Sequence, residues 1–456
     1  MKKTFLPIIT TIILSFSIFF TSQVSAASQT KRLGGQNRIE TSVEIATDYN
    51  NGQLQAVVVT TANDFPEALT GSTLAAKCKA PILLVDTTVE DNQKTLDYIK
   101  CHLASNGTVY ILGQTTSVSS DVENAIRNMG YTNIKRLAGA NKEETFKVIN
   151  SEVNVATGTP VFIASEDNFP DALSASGIAA VKGYPIILCS HGVVSQSAID
   201  QLNTIKPAQV YVVGGQAVVP ESTVQQVMSI TGLTSDKMIR LSGKDRYETS
   251  LAINKKFNLT TENAIVASGE KFPDALVGSS LAAKYNAPII FTDGGEYNYS
   301  MNGNNIVEQI KYLQSINCSN LIILGKESAV SKSVEDILGG NGSFRLWVKG
   351  ASISNNKNYI TGCFERFVYC SDPDVFDATK AYEKATGDKI LSDYEYRTGD
   401  IGFEGFHMDI STPITLEVAN NVDFNNILQH NYNIRSIFDI TFQNGIVKKI
   451  LDQHIQ

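Results

Sequence analysis

The chain carries the same four sequence blocks three times, and this constrains its fold more than any other feature. The block Arg32–Thr41 (RLGGQNRIET) returns at Arg136–Thr145 (RLAGANKEET) and Arg240–Thr249 (RLSGKDRYET), two steps of 104 residues each. Phe65–Leu69, Phe169–Leu173 and Phe272–Leu276 keep the same beat, as do Pro81–Leu84, Pro185–Leu188 and Pro288–Phe291. A fourth set is Tyr110–Gly113, Tyr211–Gly214 and Ile322–Gly325. A period this long exceeds a solenoid repeat, so each copy reads as a domain of its own.

Each copy alternates short apolar runs with amphipathic stretches. Val57-Val58-Val59 is a β-branched run of the kind a buried parallel strand needs. Pro66 opens a helix at its first turn, where the missing N–H costs nothing. Ile82–Val85 and Val109–Leu112 read as strands, with a polar helix from Asp91 to His102 between them. A helix from Ser119 to Asn128 leads to a strand at Ile134–Leu137, and the helix after Asn141 closes the unit. Strands separated by helices imply an α/β fold with a mostly parallel sheet covered on both faces.

The repeated RLxGxxRxET-type block has a structural reading first. Asn37, Asn141 and Asp245 are good N-caps, and Glu40, Glu144 and Glu248 stand three residues on, where a carboxylate reaches back to the cap's N–H. Gly35, Gly139 and Gly243 fit a strand-to-helix turn that demands positive φ or close backbone approach. The basic positions are not explained this way. Arg38, Lys142 and Arg246 fall in a first helical turn, where a cation opposes the dipole, and Arg32, Arg136 and Arg240 end strands. Two readings stay open for these six: each pair faces an anionic group, as strand ends and helix N-termini of α/β sheets do, or each braces its loop or an adjoining module through a carboxylate. Phe65, Phe169 and Phe272 read as packing anchors. Glu67, Asp171 and Asp274 suit the helix dipole but have no partner motif that would make them catalytic.

The N-terminus sets the expected compartment. Lys2 and Lys3, a short apolar run and Val24-Ser25-Ala26 read as a secretory signal peptide cleaved after Ala26. The apolar run is too short for a membrane span, nothing later resembles one, and the tail lacks a covalent sorting signal. The expected location is therefore outside the cell, with attachment by binding and no membrane contact after cleavage. Losing Lys2 and Lys3 takes the net charge from −8 to −10, of which residues 346–456 hold −5. So acidic a chain is a poor nucleic-acid binder. Any grip on an anion must come from a few basic residues spaced by the fold.

The four ordered blocks resemble the clostridial cell-wall-binding repeat type 2 family over residues 32 to about 340. The resemblance implies Rossmann-like or flavodoxin-like modules used in threes and packed as a pseudo-threefold unit. It also implies non-covalent attachment to the Gram-positive wall through an anionic secondary polymer, with one further variable region. The division that follows is a signal at 1–26, modules at 27–135, 136–239 and 240–345, and a variable domain at 346–456. Arg32, Arg38, Arg136, Lys142, Arg240 and Arg246 are the candidate polymer contacts. Lys142 replaces an arginine beside Glu143 and Glu144, so the modules need not bind equally. Gly294–Asn305 reads as a loop inserted in the third copy.

Residues 346–456 read as a small α+β domain. An amphipathic helix is expected over Pro373–Thr386, strands at Tyr394–Tyr396, Phe403–Ile410, Ile414–Val418 and Ser436–Phe442, and a hairpin at Asn444-Gly445. No metal-ligand, nucleophile or cofactor motif occurs there, so neither metal nor cofactor is expected, and Cys363–Cys370 is the candidate disulfide. The functional reading is a wall-anchored surface protein. The rival readings are a wall-modifying enzyme, such as an N-acetylmuramoyl-L-alanine amidase with its catalyst in the tail, and modules that bind another surface protein of the S-layer.

Overall fold

A computed structural model describes residues 29–295 except 168, residues 303–369 except 341 and 355, and the segments 405–409, 414–420, 422, 436–443 and 446–452. The chain opens with β1 (Gln29–Leu33) and α1 (Arg38–Tyr49). There follow β2 (Leu54–Thr61), α2 (Pro66–Cys78), β3 (Ile82–Val85), α3 (Gln93–His102), β4 (Leu103–Leu112), α4 (Ser120–Asn128) and β5 (Ile134–Leu137). The second round is α5 (Lys142–Val153), β6 (Val161–Ser165), α6 (Phe169–Lys182), β7 (Ile186–Cys189), α7 (Gln196–Ile205), β8 (Val210–Val213), α8 (Glu221–Thr231) and β9 (Met238–Leu241). The third is α9 (Arg246–Phe257), β10 (Asn263–Ser268), α10 (Phe272–Tyr285), β11 (Ile289–Thr292), α11 (Gly303–Ser315), β12 (Asn320–Leu324) and α12 (Lys332–Leu338). The inserted segment expected as a loop to Asn305 already turns helical at Gly303.

Three four-stranded parallel sheets result, ordered β3-β2-β4-β5, β7-β6-β8-β9 and β11-β10-β12-β1. The first two sheets take their last strand from the RL segment of the following repeat. The third has no following repeat, and β1 closes it, with Gln29 opposite Asn320 and Leu33 opposite Leu324. The sheets thus divide the chain a few residues later than the motif does: the 135/136 and 239/240 boundaries fall inside β5 and β9, and 345/346 falls inside the next strand.

The central helices α2, α6 and α10 pack on one another pairwise around the pseudo-threefold axis, and their small residues let them approach. Gly177 in α6 lies so near the third sheet that a Cβ would sit 2.8 Å from Ile289. One apolar core runs through all three modules here, with Leu69, Leu173 and Leu276 fully or almost fully buried. Lysines at the ends of the central helices tie the seams: Lys77 donates to the Val153 carbonyl ending α5, and Lys284 to Asp48 and Tyr49 ending α1. Each supplies the cation that a helix C-terminus favours. The outer sheet faces form separate cores under α3 and α4, α7 and α8, and α11 and α12.

Beyond Leu338 the chain switches to antiparallel pairing. Its strands are β13 (Gly342–Ser354), β14 (Lys357–Tyr369), β15 (Gly405–Asp409), β16 (Ile414–Val418), β17 (Ser436–Gln443) and β18 (Ile446–Asp452). The order β13-β17-β18-β16-β14 closes through a β13–β14 pairing into a five-stranded barrel, with β15 appended to β14. All barrel pairings are antiparallel except β16–β18. That is the Greek-key order of an OB-type barrel. The 13-residue β13 and β14 meet in a tight turn where Asn356 adopts φ 59°, a hairpin that the sequence reading did not anticipate. Strands β17 and β18 flank Asn444-Gly445 as expected, with Gln443 opposite Ile446. The expected helix at Pro373–Thr386, the strand at Tyr394–Tyr396 and Cys370 of the candidate disulfide lie outside the described residues. Ile360, Val418 and Ile440 are buried in the same apolar cluster as Leu313 and Ile316 of α11 and its following turn, so the barrel is welded to the third module.

Candidate functional site

The repeated block builds the same loop three times. Asn37 Oδ1 accepts from the Glu40 N–H at 2.9 Å, Asn141 from Glu144 at 2.8 Å, and Asp245 from Tyr247 and Glu248 at 2.9 and 2.8 Å. The glutamates reach one residue further back than a capping box does. Glu40, Glu144 and Glu248 accept from the N–H groups of Gln36, Ala140 and Lys244, each at 2.9 Å. Close approach accounts for the glycines, since a Cβ on Gly35, Gly139 or Gly243 would lie 2.2–2.4 Å from the Cβ of that glutamate.

The two sets of basic residues separate. Arg32, Arg136 and Arg240 turn inward and clamp the glycine turn after the neighbouring strand. Each donates to the carbonyl of Gly325, Gly113 or Gly214 at 2.9 Å. Each also pairs with a carboxylate early in the next helix: Glu335, Glu123 and Glu221 respectively. Burial raises the Glu123 carboxyl, but Arg127 and Arg136 outweigh it and hold it below its ordinary range. These three arginines brace the last strand of each sheet.

Lys142 and Arg246 instead stand where neighbouring modules meet, whereas Arg38 bonds within the first module. Arg38 donates to the Ala62 carbonyl at 2.7 Å, and Arg246 to the Gly269 carbonyl at 2.7 Å while its guanidinium lies 5.8 Å from the Phe169 ring centre. Phe169 in turn meets Phe65 of the first module edge-on at 5.9 Å. Lys142 departs from the pattern and reaches back to Asp64 Oδ2 of the first module at 2.9 Å. Burial would lower its ammonium, but Asp64, with Glu67 and Glu166, holds it above its ordinary value.

Beneath these cations the structure brings together an acid and a glycine that the sequence reading left unpaired. Glu67, Asp171 and Asp274 open the central helices beside Gly113, Gly214 and Gly325, whose φ values are 96°, 101° and 87°. Besides requiring φ > 0, each turn passes so near the acid that a Cβ would lie 3.3, 2.8 or 2.4 Å from a carboxylate oxygen. Burial pushes all three carboxyls up, Asp274 to about 6. The signal was available: the acid and the glycine recur with the same period, but only the sheet places the end of one strand over the start of that helix. Between the first module and the Lys142–Thr145 segment of the second, the arrangement opens into a polar cleft of about 270 Å³.

The family model for cell wall binding domain 2 (CWB2) matches residues 32–123, 136–224 and 240–335, one match per module. The chain belongs to the CWB2 family. It is 30% identical over 324 residues to N-acetylmuramoyl-L-alanine amidase LytC of Bacillus subtilis (strain 168), covering 70% of this chain and 60% of that protein. It is 28% identical over 269 residues to the amidase enhancer of the same strain, covering 58% of this chain and 34% of that protein. Among solved structures, Cwp6 from Clostridium difficile superposes with a TM-score of 0.61 at 25% identity, over 69% of this chain and 48% of that one. Cwp8 from the same organism shares the fold, with a TM-score of 0.58 at 24% identity over 68% of this chain and 51% of that one. The three CWB2 modules make this a cell-wall-associated protein. No helix among the described residues is long and apolar enough to cross a membrane.

Proposed function

We propose that the three CWB2 modules hold this protein non-covalently to the Gram-positive wall through an anionic secondary polymer, and that the barrel is carried at the surface. The observation that supports this best is the division among the basic residues. Arg32, Arg136 and Arg240 are tucked into internal braces, whereas Arg38, Lys142 and Arg246 recur beside helix N-termini, more exposed, with Lys142 and Arg246 paired to the surface carboxylates Asp64 and Glu270. In an acidic chain these three positions are the periodic cations exposed enough to exchange a surface partner for an anionic chain passing from module to module.

The test uses purified walls, intact and stripped of secondary polymer. Wild-type protein is expected to bind intact walls and to lose most binding on stripped ones. Reversing charge together at Arg38, Lys142 and Arg246 is expected to reduce binding at least tenfold with the thermal transition retained. Undiminished binding to stripped walls would instead assign the modules to a protein partner of the surface layer. Release of peptidoglycan fragments on incubation with the full chain would move catalysis into residues 346–456, the reading that the amidase relative keeps in play.

A further inference from the structure

The cleft of the first module differs from its two counterparts in the residues that line it. Structurally equivalent positions follow the three glycine turns: Ser117 beside Gly113, Val218 beside Gly214 and Ala329 beside Gly325. The acids vary in step, Glu67 with the serine and Asp171 and Asp274 with the apolar residues. In the second module Asp171 accepts from Thr249, and the turn closes tightly over it. The first module has a longer acid, a hydroxyl facing it and an open space of about 270 Å³.

Within that space the hydrogen bonds do not balance. Glu67 is 4% exposed, and its Oε1 accepts from Ser117 Oγ at 3.2 Å. Its Oε2 is shielded from solvent and has no hydrogen-bond partner. A buried carboxylate oxygen without a donor is costly, which marks a place where a donor from outside the chain belongs. Asp64, the other acid of the cleft, is already matched by Lys142 and by the Phe65 N–H at 2.9 Å. Two carboxylates and one ammonium would repel a phosphate or carboxylate from the interior. A neutral group rich in hydroxyls brings the missing donor without a charge. The volume lies below the ~300–1,000 Å³ of sites for drug-sized ligands, which suits one sugar ring.

We propose that the first-module cleft seats a single neutral, hydroxyl-bearing sugar unit of the wall polymer, with Glu67 Oε2 accepting from a ring hydroxyl. The polymer's anionic group stays outside, at the half-exposed Lys142 on the rim. This rests on the wall-polymer reading and adds to it a division of labour: charge is read by the exposed cations, and sugar at one of the three sites.

Saturation-transfer NMR on the full chain, with glucose and N-acetylglucosamine as separate probes and inorganic phosphate as competitor, tests this. At least one sugar is expected to give a signal that phosphate does not displace. Glu67→Ala and Ser117→Val are each expected to weaken that sugar at least tenfold. Ser117→Val installs the residue the second module already carries, so it guards against a folding artefact in the first variant. Absence of any sugar signal, displacement by phosphate, or equal binding by both variants would overturn the proposal. The stripped-wall experiment decides the polymer reading separately: polymer-dependent wall binding without any sugar signal sinks this inference and leaves that reading standing.

Discussion

The first and third modules have the same sheet order and the same motif, yet their sheets are completed in opposite ways. The first borrows β5, which arrives directly after α4, whereas the third is closed by β1, separated from β12 by almost the whole ring. The lesson is that the sequence repeat and the folding unit are out of frame. Each RL strand belongs to the sheet before it, so three repeats make three complete sheets only if the ring closes. The third module therefore depends on β1, and because its outer core continues into the barrel, so does the barrel.

Removing residues 27–33 breaks this comparison most directly. It strips β12 of one of its two strand partners, exposes the underside of Leu33's site and leaves Glu335 without Arg32. The expected loss exceeds about 3 kcal/mol, concentrated in the third module and barrel, with the first two modules retaining slow amide exchange. A single cooperative transition at the wild-type midpoint would show that β1 is dispensable.

The next effect sharpens the comparison at the buried acids. Asp274 has a folded pKa of about 6 against 3.8 for the ordinary group, raised by burial. The unfolded chain then ionises first as pH rises, so the contribution is most favourable below about pH 4 and is lost between pH 4 and 6. Asp274→Asn is expected to stabilise the protein at pH 7 by on the order of 2–3 kcal/mol and to flatten its urea midpoint across that window. An unchanged pH profile would show that Asp274 is not the group that titrates.

The braces provide the smallest contrast. Arg32 faces a buried Glu335, whereas Arg240 faces Glu221, whose side chain is 55% exposed. Arg32→Met is expected to cost about 2 kcal/mol and Arg240→Met less than about 1 kcal/mol, because water re-solvates the abandoned carboxylate in the second case. Equal costs in chemical denaturation would mean that the ring distributes strain evenly among its modules.

Local patterns were legible where neighbours in sequence are also neighbours in space. The caps at Asn37, Asn141 and Asp245, the Pro66 helix start, and strands such as Ile82–Val85 and Ile134–Leu137 all follow from short-range rules. The Asn-Gly hairpin did as well. The β13–β14 hairpin did not announce itself, because no glycine stands between Ser354 and Lys357 and its strands mix polar and apolar residues irregularly. The six basic residues looked alike in sequence, since an arginine at a strand end carries no mark of which carboxylate lies opposite.

By itself the sequence determined the three-part α/β organisation, the parallel sheets, the capped loops and the acidic balance that limits anion binding to a few positions. Those properties come from periodicity, propensity and charge, which act over one or two turns or strands. Tertiary structure alone decided that β1 closes the third sheet, that three arginines are spent as braces while three cations stay exposed, two of them at module seams, and that Glu67 keeps an unpaired oxygen beside a cleft. The β1 closure and the Arg32 brace join groups about 300 residues apart and the Glu67–Ser117 contact groups 50 apart; the Arg136 and Arg240 braces span only 13 to 26 residues, but they too exist only once the sheet sets a strand end against the following helix.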